Sequence, residues 1–137
     1  MELQLKIIGF LSILLAVAHV IFPKYFNWKE DLRSVSLINK QLMYVHTFFI
    51  AFFVFLIGVF LINCSYDIIY TGLGRMIALG LFIFWGVRLI FQFFVYSTKL
   101  WKGKLFETIV HIIASLLWLY FTTVFFLVYW QYNEAAK

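Results

Sequence analysis

The stretch QLMYVHTFFIAFFVFLIGVFLIN, residues 41–63, contains no Asp, Glu, Lys or Arg. Apolar side chains fill nearly every position, so neither a helical nor a strand period leaves a face for water. About twenty such residues in a helix cross the roughly 30 Å of hydrocarbon in a bilayer. A single segment satisfies its own backbone there only as a helix. Three further runs share this character, at about 5–22, 76–97 and 105–130, and Pro23 is expected to end the first. The fold expected is all-α: a polytopic membrane protein whose four spans form one transmembrane helix bundle in a single domain.

Composition agrees. Of 137 residues, 65% are hydrophobic and 12% charged, whereas a soluble domain lies nearer half and a quarter. The bilayer is therefore the expected partner. A net charge of +5 does not point to nucleic acid, because the basic residues sit in short segments beside the spans rather than on one face. Cys64 is the one cysteine. That excludes an internal disulfide, a CxxC pair, a thiolate zinc site and a thiol enzyme of the four-helix quinone-coupled kind.

Lys6, an apolar run and then Ala16-Val17-Ala18 have the outline of a signal peptide with its cleavage site. Glu2 offsets Lys6 and the run continues to Phe22, so the first span is read as retained. Four spans put loops one and three on one side of the membrane. Lys24, Lys29, Arg33, Lys40, Lys99, Lys102 and Lys104 lie there, against Lys6, Arg75 and Lys137 on the other. Seven against three places loops one and three in the cytoplasm and both termini in the periplasm. Tyr25, Trp28, Tyr66, Tyr70, Tyr96, Trp101, Tyr129, Trp130 and Tyr132 form interfacial belts. In loop one, Asn27 and Glu30 have capping-box spacing. Trp28, Leu32 and Val35 then share a helical face, so a short amphipathic helix is expected on the cytoplasmic surface, continuous with the second span.

Ionisable residues within spans are costly and usually face protein, which makes each one informative. His19, His46 and His111 fall on three different spans, within roughly 5–10 Å of the same surface at 1.5 Å per residue. Gly80, Phe84, Arg88, Gln92 and Tyr96 recur every fourth residue on the third span. Glu107, His111 and Ser115 do so on the fourth. Arg88 stays charged whatever its surroundings, and it is expected near mid-bilayer. Helical side chains lean toward the helix N-terminus, so its guanidinium is expected to point away from the nearby cytoplasmic surface. It then either pairs with Glu107 or meets an anionic ligand. The pattern predicts a His/Arg/Gln/Glu pocket in the cytoplasmic half, with Trp85 and Trp118 able to line it. Gly58, Gly80 and Gly86 read as places of close helix contact.

The segments HVIFP (19–23), LINKQLMYVHTFF (37–49), FWGVRLIFQFFVYS (84–97) and LWKGKLFETIVHI (100–112) carry a resemblance. They are similar to a family of small, uncharacterised four-helix bacterial integral membrane proteins, over most of the chain. The resemblance implies the bacterial inner membrane and supplies no mechanism.

Three functions fit the residues. In the first, His19, His46 and His111 bind a cofactor: b-type haem, with Arg88 at a propionate, or a divalent metal ion with Glu107 nearby. In the second, Arg88, Gln92, Tyr96 and Glu107 bind an anionic lipid or quinone-like molecule while the histidines relay protons. Transport by that route would call for a homodimer. In the third, the protein is an accessory subunit of a membrane complex and the polar residues are glue between helices. Whether it is an enzyme is open at this point.

Overall fold

The structure, a computed structural model, describes residues 1–135, with side chains described as far as Gln131. Lys137, which enters the charge asymmetry, and the Tyr132 side chain lie outside the described residues. The chain is all-α, and four of its helices are long and apolar enough to cross a membrane. In chain order the α-helices are α1 (Glu2–Tyr25), α2 (Trp28–Asp31), α3 (Leu37–Asn63), α4 (Ser65–Tyr70), α5 (Gly72–Phe94) and α6 (Leu105–Ala135). The spans are α1, α3, α5 and α6. This is a multi-pass membrane protein. Its contacts divide it into two compact units, Leu3–Ser65 on one hand and Tyr66–Lys137 with Met1–Glu2 on the other.

In the first unit α1 and α3 cross where Gly9 meets Gly58. A Cβ built on either glycine would lie 2.7 Å from the other's carbonyl oxygen and 2.8 Å from an isoleucine side chain. No other residue fits there, and van der Waals contact at such crossings is what holds helices together in lipid. Of the three glycines expected at close contacts, Gly58 occupies one. Gly86 has Thr122 at an ordinary 3.7 Å and Gly80 faces open space. Leu5, Ile8, Ser12 and Ala16 follow as the buried stripe of α1.

Loop one contains the short helix expected there, α2, without the expected capping box or continuity with α3. α2 is a single turn, and Asn27 caps it in the left-handed conformation (φ 49°) without a side-chain hydrogen bond, so no capping box forms. The chain leaves helical geometry after Asp31 and re-enters at Leu37, with Ser36 extended (ψ 149°). The break over 32–36 means that α2 is not continuous with α3. Leu32 is buried and the Trp28 ring meets Tyr44 of α3 edge-on at 5.4 Å. Pro23 does not end α1, which runs on to Tyr25. In the last turn proline removes only the bond to the His19 carbonyl, and the Phe26 amide still bonds the Phe22 carbonyl at 2.9 Å.

In the second unit Thr71 caps α5, its hydroxyl accepting from the Gly74 amide at 2.9 Å. Gly74 lies against the backbone of Asp67 and Ile68, which leaves no room for a side chain. α5 and α6 pack as an antiparallel pair. Its buried aromatic centre is Trp85, Trp118 and Phe121, with the two indoles stacked at 5.0 Å and 12°. Near the Thr71 end, Arg75 donates to the Tyr129 hydroxyl at 3.3 Å and lies over its ring at 4.9 Å. Arg75 is therefore part of the packing as well as a charge at the membrane surface.

Candidate functional site

At the other end of the α5–α6 pair the connection folds back on itself. A 3₁₀ turn over Thr98–Leu100 is followed by Gly103 at φ +82°, a conformation that costs glycine little. The Thr108 hydroxyl, on the first turn of α6, lies 2.8 Å from the Trp101 carbonyl and 2.7 Å from that of Lys104. This anchors the turn to the helix. The result is that Trp101 lies flat on the His111 imidazole, 3.8 Å away and only 10° from parallel.

Gln92 is buried, 6% exposed, on the face of α5 toward α6. Arg88 Nη1 donates to its Oε1 at 3.1 Å, and its Nε2 lies 2.7 Å from His111 Nδ1. The direction of these bonds is fixed by chemistry. A guanidinium only donates, so Gln92 must turn its oxygen to Arg88 and its NH₂ to His111. His111 Nδ1 therefore accepts, and the neutral ring carries its proton on Nε2. The relay runs one way, from Arg88 through Gln92 to His111.

Arg88 is half-buried, with its guanidinium 5.0 Å from the Trp118 ring and 5.4 Å from that of Tyr96. Such contacts favour the cation without neutralising it. Arg33 pairs with Glu30 in loop one at 2.8 Å, and no ion pair joins Arg88 to Glu107. One expectation about Arg88 changes. α5 ends at Phe94 rather than 97, and Arg88 lies about 9 Å from that helix end and about 7.5 Å from the helix midpoint at 1.5 Å per residue. The guanidinium reaches forward to Gln92 and Tyr96 while keeping Trp118, level with Trp85, at its other side. Its long stem overrides the N-terminal lean because an acceptor and the Tyr96 ring lie that way.

Of the residues singled out in the sequence, Arg88, Gln92, Tyr96 and His111 come together here. Tyr96 does so from beyond the helix end rather than from the face of α5. Glu107 is half-buried one turn before His111 on α6. His19 and His46 belong to the Leu3–Ser65 unit, where each bonds its own helix: Nδ1 to the Leu15 carbonyl at 2.7 Å, and Nδ1 to the Leu42 carbonyl at 2.9 Å. A carbonyl only accepts, so both rings carry the proton on Nδ1. His46 is exposed. Among the described residues no group of three or more His, Cys, Asp or Glu is placed to hold a metal ion.

Sequence reasoning gave Trp101 only a place in the interfacial belt. Its stacking on His111 depends on the Gly103 turn, for which the sole local signal was a glycine between two lysines. The buried indole nitrogens of Trp85 and Trp118 have no hydrogen-bond partner. No family model, curated protein or solved structure matches this chain.

The remaining Arg88 N–H groups and His111 Nε2–H are donors. Such a pair suits a ligand that accepts.

Proposed function

We propose that this protein binds an anionic amphiphile, a lipid or lipid-like molecule, with its acidic head at Arg88, Gln92 and His111. The observation that carries this is a permanently charged guanidinium, half-buried within a span, that has no carboxylate partner among the described residues. Charge in a span is expensive and is usually paired. A neutral quinone carbonyl would satisfy the donors but leave the charge unbalanced, so the anion is preferred. Structural glue would need no charge at all.

Detergent-purified protein titrated with phosphatidylglycerol, phosphatidylcholine or a ubiquinone analogue tests the proposal. Phosphatidylglycerol should raise the melting temperature of the wild type and leave Arg88→Met unmoved. Arg88→Lys should lose most of the shift, because an ammonium does not reproduce the planar fork. Equal shifts in wild type and Arg88→Met, or a shift with the quinone alone, would overturn it.

The reading extends to location. The basic bias of loops one and three supports an orientation with both loops in the cytoplasm and the Arg88 site in the inner half of the membrane. The resemblance noted from the sequence supports the bacterial inner membrane. A second reading, axial ligation of b-type haem or a metal ion by His19 and His46, is favoured by their hydrogen bonds. A ring that donates from Nδ1 to a carbonyl presents an unprotonated Nε2, as metal-bound histidines usually do. A Soret band, or metal co-purifying with the protein and lost in His19→Ala and His46→Ala, would establish it.

A further inference from the structure

We infer that Gln92 couples the two ends of its relay, so that an anion binding at Arg88 takes up a proton at His111. The inference rests on the anion-binding reading above. Its physical basis is the one-way order of donors. In the neutral state His111 Nδ1 accepts from Gln92 Nε2 at 2.7 Å, and Gln92 Oε1 accepts from Arg88 at 3.1 Å. A proton placed on Nδ1 turns that nitrogen into a donor facing the Gln92 NH₂. The bond can be remade only if the amide turns over and offers its oxygen to His111. Its NH₂ group then faces Arg88, donor against donor, and the guanidinium must leave.

Gln92 is buried against α6, so no other orientation of its amide serves both partners. Neutral His111 therefore holds Arg88 in an internal hydrogen bond, and protonated His111 releases it and adds a second positive charge. Both changes favour an anion. The other charged and titratable groups around His111 are Arg88 from α5, Tyr96 just beyond its end, Glu107 one turn earlier on α6, and Lys102 and Lys104 on the turn that carries Trp101. None of these stands between Gln92 and His111. Trp101, stacked on the imidazole at 3.8 Å, holds the ring in register with Gln92.

The chemical class of ligand is a phosphodiester or comparable acid that remains an anion throughout. Short-chain phosphatidylglycerol and dimethyl phosphate supply that head with and without a lipid tail. Affinity for each is measured at about pH 8 and about pH 5, the range over which histidine changes charge. Proteins are wild type, Arg88→Met, His111→Gln and Gln92→Leu, each checked for helicity and melting temperature.

Wild type should bind roughly 5- to 150-fold more tightly at the lower pH, the usual span of coupling between linked sites. His111→Gln accepts from Gln92 but does not titrate, so it should bind weakly and equally at both. Gln92→Leu leaves Arg88 unheld at every pH and should lose most of the dependence. Binding by phosphatidylglycerol but not dimethyl phosphate makes the ligand a lipid, and binding by both makes the head group sufficient; either supports the coupling if the pH pattern holds. Wild-type binding that is equal at the two pH values, or a full dependence surviving in Gln92→Leu, overturns the coupling and leaves the anion site standing. No binding at either pH, or undiminished binding by Arg88→Met, overturns the anion site and the coupling with it.

Discussion

Replacing Gln92 by Leu keeps its volume and helix propensity while deleting both bonds of the relay, the 3.1 Å bond from Arg88 and the 2.7 Å bond to His111. In membrane proteins an interhelical hydrogen bond contributes about 0.6 kcal/mol on average and at most about 1.7. The bond from a charged donor belongs at the upper end. Two bonds lost together should cost about 1–3 kcal/mol. Little returns through burial of the leucine, because lipid is as apolar as the helix interior.

The assay is reversible unfolding in mixed micelles, read as a double-mutant cycle of Gln92→Leu, His111→Leu and the pair. If Gln92 and His111 bond as described, the single losses are non-additive by about 0.5 kcal/mol or more. A Gln92→Leu cost within about 0.3 kcal/mol of zero, together with additive losses in the pair, would refute the relay. Such a result would also remove the basis for coupling Arg88 to His111.

Other expectations follow from the packing. Gly58→Val places atoms against the Gly9 carbonyl and Ile13, so it should destabilise by about 1–3 kcal/mol. Gly80→Ala meets nothing within 4 Å and should be neutral or stabilising by up to about 1 kcal/mol in the same unfolding assay. Trp101→Leu removes the face of the His111 stack and should cost about 0.5–1.5 kcal/mol, visible also as faster proteolysis of the turn at Lys102 and Lys104. In a Cys64→Ser background, a thiol at Ser34 should be labelled from the cytoplasm only and one at Asp67 from the periplasm only. The reverse pattern would invert the topology.

What the sequence disclosed depended on how far each residue's role was decided by its own helix. The four spans were legible because solvent alone dictates a helix from a long apolar run. Their ends were less so. Pro23 does not stop α1, because it removes one bond, to the His19 carbonyl, and the Phe26 amide still bonds the Phe22 carbonyl. Arg88 and Gln92 were legible as a pair at four-residue spacing. His111 was legible as a candidate at similar depth, but not as Gln92's partner, which the register of the α5–α6 pair decides. Glu107 was one of two partners considered for Arg88 because charge alone suggested it. In the structure, side-chain reach gave the guanidinium an amide and two rings. Gly9 escaped notice because a glycine's importance lies on the neighbouring helix, in the carbonyl of Gly58.

The arrangement around Arg88 bears on how the chain enters the membrane. α5 has the lowest mean hydropathy of the four spans, 2.0 against 2.7 for α3. Arg88 adds about 2.5–3.5 kcal/mol to its insertion at a helix centre and less near an end. The rings and hydrogen bonds that offset this, Trp118, Tyr96 and His111 through Gln92, all follow α5 in the order of synthesis. A ribosome that has made only α5 has produced a helix whose costliest residue still lacks its surroundings. Partition into lipid is then best delayed until α6 has been translated, and the two helices leave the translocon as a hairpin. The turn at Gly103 thus sits at a step of biogenesis, since its closure brings the second helix to the first.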